Sequence, residues 1–169
     1  MSNACSSSCR HASKIRAVTL YTSVKFLHIL LAIIAVGFNA SYAIWLVRAR
    51  RNADNLEFAL KGVKFMDDYI ANPGYIGLLV TGLAMVLLNR IDLLRNFWLE
   101  AALVLWLIAM LLAYGVYTPT LSRQIKVLAA KGAKDEQYRW LDQRAQRVGP
   151  ALGVIVLVIA GLMVFQPKF

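Results

Sequence analysis

Four apolar segments, each long enough to cross a lipid bilayer, dominate this chain of 169 residues. A membrane-spanning helix needs about 20 mostly apolar residues. Hydrophobic residues make up 59% of the chain and charged residues 17%, and a chain of this size cannot bury so much apolar surface in its own core. The excess must face lipid, which excludes a soluble enzyme. The predicted spans cover approximately residues 17–47, 69–88, 97–117 and 148–165.

The first apolar segment differs from a cleaved signal peptide in three ways. It runs from about Ala17 to Val47, which is too long, and no small-residue cleavage site follows it. The cluster of Arg48, Arg50 and Arg51 ends the run instead. We therefore predict that this segment stays in the membrane.

The connections between the spans differ in length and character. A tight turn, Asn89 to Asn96, joins the second and third spans, whereas the other two connections are longer and carry apolar residues at helical spacing. Basic amphipathic segments of this kind are typical of helices that lie on a membrane surface. The apolar stripes are Leu56, Leu60 and Val63 in the first connection, and Leu121, Ile125, Leu128, Tyr138, Leu141 and Ala145 in the third.

Short connections between successive helices favour an up-down arrangement. The sequence therefore predicts an all-α integral membrane protein, a four-helix up-down bundle with amphipathic interfacial helices in its long loops. One domain covers residues 17–169 and follows a flexible, serine-rich N-terminal tail at residues 1–16.

The net charge of +10 does not indicate nucleic-acid binding, because the basic residues lie between apolar runs rather than along one stripe. In that position they anchor helices against anionic lipid headgroups. Twelve of the 19 Lys and Arg residues fall in the two long connections. The positive-inside rule then predicts a bacterial inner-membrane protein with both termini in the periplasm. The expected partner is the lipid bilayer, with a second copy or another membrane protein as further candidates.

The polar side chains of the first span share one helix face. Positions three or four residues apart lie on one side of a helix, and alanine fills the rest of this face. Small residues let helices approach closely in lipid, so the pattern predicts a helix contact here. The face reads Lys25, His28, Ala32, Ala35, Asn39 and Tyr42.

Several polar residues are interpreted as structural groups rather than catalytic ones. Lys25 and Glu100 lie near helix ends, where long side chains reach the headgroups. Asp67 is expected to form an anchoring ion pair with Arg48 or Arg51. The polar residues assigned a structural role are Asp67, Asp68, Glu100, Asn39 and Tyr42.

His28 is the only histidine within the predicted spans, and imidazole is a common ligand for haem and copper. A polar group that persists inside the membrane indicates a functional site. The competing interpretation is a hydrogen bond from His28 to a neighbour such as Glu100. Candidates for a second axial ligand are Lys25, Met85, Met110, Met163 and the tyrosines.

Cys5, Cys9 and His11 form a second candidate metal site, in the N-terminal tail. Thiolates favour Cu(I) and Zn(II), although a serine-rich tail is more often simply disordered. The candidate metal ligands are therefore His28, Cys5, Cys9 and His11. No catalytic residue is predicted, because the chain has no nucleophile beside a base and no glycine-rich phosphate loop.

Short motifs in three helices resemble a bacterial family of four-helix membrane proteins known as domain of unknown function 2269. The first is Lys25-Phe26-Leu27-His28-Ile29-Leu30 followed by Gly37. The second combines Asp68, Ile70 and Pro73 with Thr81-Gly82, and the third runs from Trp98-Leu99 to Thr118-Pro119 and Gln124. The resemblance covers about residues 20 to 166.

The resemblance implies a distant relation to copper-resistance D proteins and to the haem-binding protoporphyrinogen oxidase of bacteria. It implies a first-helix histidine that ligates haem or copper, which here is His28. The oxidase segment Ala-Gly-x-x-Tyr-x-Pro-Arg is not reproduced, because the stretch from Val36 to Asn39 lacks its proline and arginine. That departure counts against the oxidase activity.

The favoured hypothesis is a small multi-pass inner-membrane protein that binds haem b or copper at its outer face through His28, and that is not an enzyme. One alternative is a non-catalytic structural subunit of a larger membrane complex. The other is a membrane enzyme that oxidises porphyrins.

Overall fold

The computed structural model describes the backbone of residues 3–51, 55–92 and 96–167, and side chains from residue 18 onwards within those ranges. The described part is all-helical, which confirms the predicted fold class. The predicted flexible tail lies where side chains are not described, so it stays a prediction.

The helices are α1 (Asn3–Ala49), α2 (Leu56–Met66), α3 (Asn72–Asn89), α4 (Phe97–Leu112), α5 (Thr118–Lys131) and α6 (Glu136–Phe165), with π-helical turns at Asp67–Ala71 and Ala113–Tyr117.

The π-helical turns join α2 to α3 and α4 to α5 without interrupting the helical path. The described chain therefore contains four long helices that are apolar and long enough to cross a membrane, as predicted. Their bounds are Val18–Ala49, Leu56–Asn89, Phe97–Lys131 and Glu136–Phe165.

The helices continue through three prolines that lie at or near the ends of the predicted spans. The π-helical turns lie just before Pro73 and Pro119, where the N–H groups of Asn72 and Thr118 bond to carbonyls five residues back. Proline lacks an N–H and crowds the preceding helical turn, and a wider π-turn provides room there without ending the helix. Pro150 lies inside α6, which also continues. The helices are consequently longer than the predicted spans.

The bundle is assembled from two closely packed antiparallel pairs. α1 packs most extensively on α3, and α4 on α6. Ala35 on α1 is fully buried, and a Cβ atom built on Gly74 of α3 would lie 3.4 Å from the Ala35 Cβ. The small residues predicted to bring helices together therefore form the α1–α3 contact. At one end of the bundle α2 packs on α5, and α5 on α6.

The apolar stripes of the long connections form much of the buried core. Leu60, Val63 and Leu121 are almost completely buried, and Tyr138 and Leu141 are buried as well. The long connections are helical, as predicted, and their apolar faces pack inside the bundle. Because the helices do not break at the π-turns, their stripes stay aligned with the bundle interior and pack on one another.

Candidate functional site

His28 lies on α1 where that helix packs against α3. Its Nδ1 atom lies 2.8 Å from the hydroxyl oxygen of Thr81. A Cβ atom built on Gly82 would lie 3.4 Å from the His28 Cε1 atom, so the imidazole packs against the backbone of α3. The sequence suggested Glu100 as the hydrogen-bonding neighbour of His28. The structure places Thr81 there instead, because α3 and not α4 covers this face of α1.

The Thr81 hydroxyl determines which nitrogen of His28 carries the proton. Its oxygen lies 2.7 Å from the carbonyl oxygen of Gly77 and 3.3 Å from that of Leu78. A carbonyl only accepts hydrogen bonds, so the single hydroxyl proton of Thr81 is donated to the backbone. The hydroxyl oxygen is then available to accept a hydrogen bond from His28 Nδ1, which favours the tautomer with its proton on that nitrogen.

This arrangement leaves the lone pair of His28 at Nε2. Nδ1 is the ring nitrogen that lies against the Thr81 hydroxyl, and the ring also forms a hydrogen bond with the backbone of Leu78. Metal-binding histidines commonly donate one ring N–H to a protein oxygen, which orients the other nitrogen toward the metal. His28 fits this arrangement, and its side chain is partly buried between the two helices.

The register of α1 against α3 brings two of the predicted ligands to the same end of the interface as His28. Lys25 precedes His28 by three residues, and Met85 follows Thr81 by one helical turn. Lys25 is exposed and Met85 is half-buried. Met110 instead lines a small cavity of about 70 Å³ to which His28 does not contribute.

The described residues contain no group of three or more His, Cys, Asp or Glu side chains that could hold a metal ion. The side chains of Cys5, Cys9 and His11 lie outside the described residues, so their proposed metal site stays a prediction. The described part of the chain therefore offers a metal one imidazole nitrogen, that of His28.

Asp67 is a buried carboxylate in the first π-helical turn, with 6% of its surface exposed. Its Oδ2 atom accepts a hydrogen bond of 2.9 Å from the Thr118 hydroxyl, which adjoins the second π-helical turn. The ion pairs of the described residues do not include the predicted one between Asp67 and Arg48 or Arg51. The hydrogen bond instead joins the long helix Leu56–Asn89 to the long helix Phe97–Lys131.

The other polar residues assigned a structural role lie in different surroundings. Asn39 donates a 2.9 Å hydrogen bond from Nδ2 to the hydroxyl of Tyr75 across the α1–α3 contact. Asp68 is exposed and forms an ion pair with Lys64 on the preceding turn. Glu100 is half-buried in the first turn of α4.

Sequence reasoning missed a polar network centred on Asp142 of α6. Its carboxylate accepts hydrogen bonds from Arg50 Nη2 at 2.8 Å, Gln124 Nε2 at 2.9 Å and Gln146 Nε2 at 2.7 Å. The network ties α1, α5 and α6 together at the basic end of the bundle. The sequence contains one signal for this network: Gln124 is a polar residue three positions after Leu121, on the same apolar stripe. In the structure Gln124 is only 1% exposed.

A larger cavity of about 390 Å³ lies between α1 and α6, which contact each other only sparsely. Tyr42, Tyr117 and Gly153 are among the residues that line it. The hydroxyl of Tyr42 has no hydrogen-bond partner among the described residues. His28 does not line this cavity, whose α1 residues begin at Val36, eight positions further along the helix, so the two features are separate.

The family model described as "Predicted integral membrane protein (DUF2269)" matches residues 22–167 of the chain. The chain belongs to this family. The match extends over all four long helices, in agreement with their apolar composition. No curated protein and no solved structure matches this DUF2269 chain. The relation to copper-resistance and porphyrin-oxidising proteins therefore stays an expectation.

Proposed function

We propose that this DUF2269 protein binds a metal cofactor within the membrane through Nε2 of His28, and that the cofactor is haem. The supporting observation is the hydrogen bond between His28 and Thr81. It keeps the proton on Nδ1 and the lone pair on Nε2, the form in which imidazole binds a metal.

Haem fits the donor set better than copper does. A porphyrin supplies four nitrogens of its own, so one protein histidine is sufficient to hold the iron. Copper ions bound by proteins need several protein ligands, and the described residues offer no such group. Lys25 and Met85, at the same end of the α1–α3 interface, would be the other residues available to hold the group. When bound, haem would supply one-electron chemistry, which fits a carrier as well as an enzyme.

A carrier is favoured over a porphyrin-oxidising enzyme. The described surroundings of His28 are Thr81, Gly82 and apolar helix surface, and no acid or base is hydrogen-bonded to it. The segment from Val36 to Asn39 also lacks the proline and arginine of the oxidase motif. If no cofactor binds in the experiment below, the alternative hypothesis of a non-catalytic structural subunit is favoured.

The test is a visible spectrum and metal analysis of the protein purified in mild detergent, before and after addition of haem. We expect a Soret band in the wild type and its loss in His28→Ala. Thr81→Val keeps the shape of the threonine side chain but removes the hydroxyl oxygen that contacts the imidazole. It should weaken haem affinity about 10- to 100-fold.

Thr118→Val is the matched control, since Thr118 binds Asp67 and not His28, and it should leave the spectrum unchanged. A wild type that stays colourless after haem addition would refute haem binding and leave His28 as a packing residue. Bound copper that is lost in His28→Ala would show copper to be the ligand.

We also propose that the protein lies in the bacterial inner membrane with both termini in the periplasm. The basic residues of α2, α5 and the first turns of α6 lie at the same end of the bundle as Arg48 and Arg50. The positive-inside rule supports a cytoplasmic location for this end. Alkaline phosphatase fused after Phe169 should be active, because it folds only in the periplasm. The same reporter inserted at Gly132, between α5 and α6, should be inactive, and the reverse pattern would invert the topology.

A further inference from the structure

Asp67 is a buried acidic side chain without a basic partner. It is 6% exposed, and the ion pairs of the described residues do not include it. An ionised carboxylate that is removed from water is costly unless an opposite charge lies beside it. The carboxyl group of Asp67 therefore needs either a proton or a bound cation.

Among the described residues, the groups around Asp67 supply hydrogen bonds rather than a free positive charge. Its Oδ2 atom accepts a 2.9 Å hydrogen bond from the Thr118 hydroxyl, and Asn72 forms a second side-chain hydrogen bond with it. Lys64 of α2 interacts electrostatically with Asp67, but its ammonium group pairs with the neighbouring Asp68.

The other titratable groups that interact with Asp67 are phenols, which are uncharged near neutral pH. They belong to Tyr42 on α1, Tyr75 on α3, and Tyr114 and Tyr117 in the second π-helical turn. These side chains cannot balance a negative charge on Asp67, so they favour its neutral form.

Asp67 is also one of the residues that line an internal cavity of about 70 Å³, to which all four long helices contribute. Asn39, Asn72 and Tyr75, which carry polar side chains, line it from α1 and α3. A polar cavity of this volume has room for water, since one water needs about 10–15 Å³. Water in the cavity would give the carboxyl group a partner with which to exchange a proton.

The lining of this cavity favours a proton over a metal cation. Hard cations such as Ca²⁺ and Mg²⁺ take six or more oxygen ligands that surround them. α4 and α6 contribute apolar side chains and Trp106, whose buried Nε1–H has no hydrogen-bond partner among the described residues. An indole N–H donates a hydrogen bond and does not bind a cation. These two helices therefore do not complete a shell of oxygen ligands.

From these observations we propose that Asp67 is a proton-binding site inside the bundle. Its carboxyl group carries a proton at neutral pH and releases this proton to water when the pH rises. Asp67 lies in one π-helical turn and bonds to the residue that follows the other, and such turns are frequently found at functional sites. The site is separate from His28 and does not depend on the haem proposal.

The experiment records infrared spectra of the protein in mild detergent at neutral pH, in H₂O and in D₂O. A protonated carboxylic acid has a C=O stretching band apart from the amide bands, and deuterium exchange lowers its frequency. We expect this band in the wild type and its loss in Asp67→Asn, which keeps the shape of the side chain. Asp68→Asn is the matched control and should keep the band, because Asp68 is exposed and paired with Lys64.

Thr118→Val tests the same assignment without changing the acid. The variant removes the hydroxyl that donates to Asp67, so the C=O band should remain and shift to higher frequency. Raising the pH to alkaline values should remove the wild-type band, and a return to neutral pH should restore it.

A wild type without the band at neutral pH would overturn the proposal, as would a band that Asp67→Asn leaves intact. A band that persists at alkaline pH would show a permanently protonated packing group instead of an exchanging site. Loss of the band with sodium chloride but not with choline chloride, at constant pH, would assign the site to a metal cation. Circular dichroism verifies folding of the variants. If Asp67→Asn does not fold, an unshifted band in Thr118→Val overturns the assignment to Asp67.

Discussion

Asp142→Ala is expected to lower the free energy of unfolding by about 3 kcal/mol, because it leaves Arg50 as a buried charge without its partner. The side chains of Arg50 and Asp142 are 27% and 16% exposed. Solvent screens them partly, so we expect the lower end of the range for a broken buried pair. The same change removes the acceptor of the amide of Gln124, which has almost no access to water. The measurement is unfolding by sodium dodecyl sulfate in mixed micelles, followed by circular dichroism.

The matched control for this prediction is Glu57→Ala. Glu57 forms an ion pair with Lys61 at 2.6 Å, but both side chains are well exposed, and exposed pairs contribute about 0–1 kcal/mol. Equal destabilisation by the two substitutions would show that Asp142 does not hold α1, α5 and α6 together.

Gly74→Leu is expected to destabilise the bundle by up to about 3 kcal/mol, the cost of overpacking a well-packed contact. A single Cβ atom at this position already comes within 3.4 Å of the fully buried Ala35. The remaining leucine atoms have no space, so α1 and α3 must move apart. The separation also lengthens the contact between His28 and Thr81, so under the proposed function the affinity for haem should fall together with the stability.

Gly37→Leu tests whether lost space, rather than lost glycine, causes this effect. A Cβ atom built on Gly37 of α1 meets nothing within 4 Å, and leucine is the better helix former. The control should therefore be neutral or slightly stabilising in the same unfolding assay. A comparable loss of stability in both variants would contradict the proposed close contact between α1 and α3.

The helical content and the number of spans were predictable because both depend on local composition. A run of about 20 apolar residues has few alternatives to a membrane helix, since its backbone groups must be satisfied internally in lipid. The polar face of the first span was also readable from residue spacing. It contains Ala35, which is buried on α3, and Asn39, which bonds to Tyr75 of α3.

The helix ends were not predictable in the same way. Pro73 and Pro119 are strong local signals for a helix boundary, yet both helices continue because each forms a π-helical turn just before its proline. The stabilisation that results when these helices continue past their prolines comes from contacts between residues far apart in the chain. Leu60 and Leu121 become buried, and Asp67 reaches Thr118. A sequence window around one proline contains none of these partners.

The sequence by itself determined that this chain is a membrane-embedded helical protein of four spans. It also singled out His28, because a polar side chain inside the membrane is costly and therefore stands out among apolar residues. Only the tertiary structure decided which groups meet. Thr81 rather than Glu100 contacts His28, Asp67 bonds to Thr118 rather than to Arg48 or Arg51, and Asp142 engages Arg50. It also left the α1–α6 cavity beside Tyr42. These pairings depend on helix register and on which faces pack, and both follow from contacts between residues far apart in the chain.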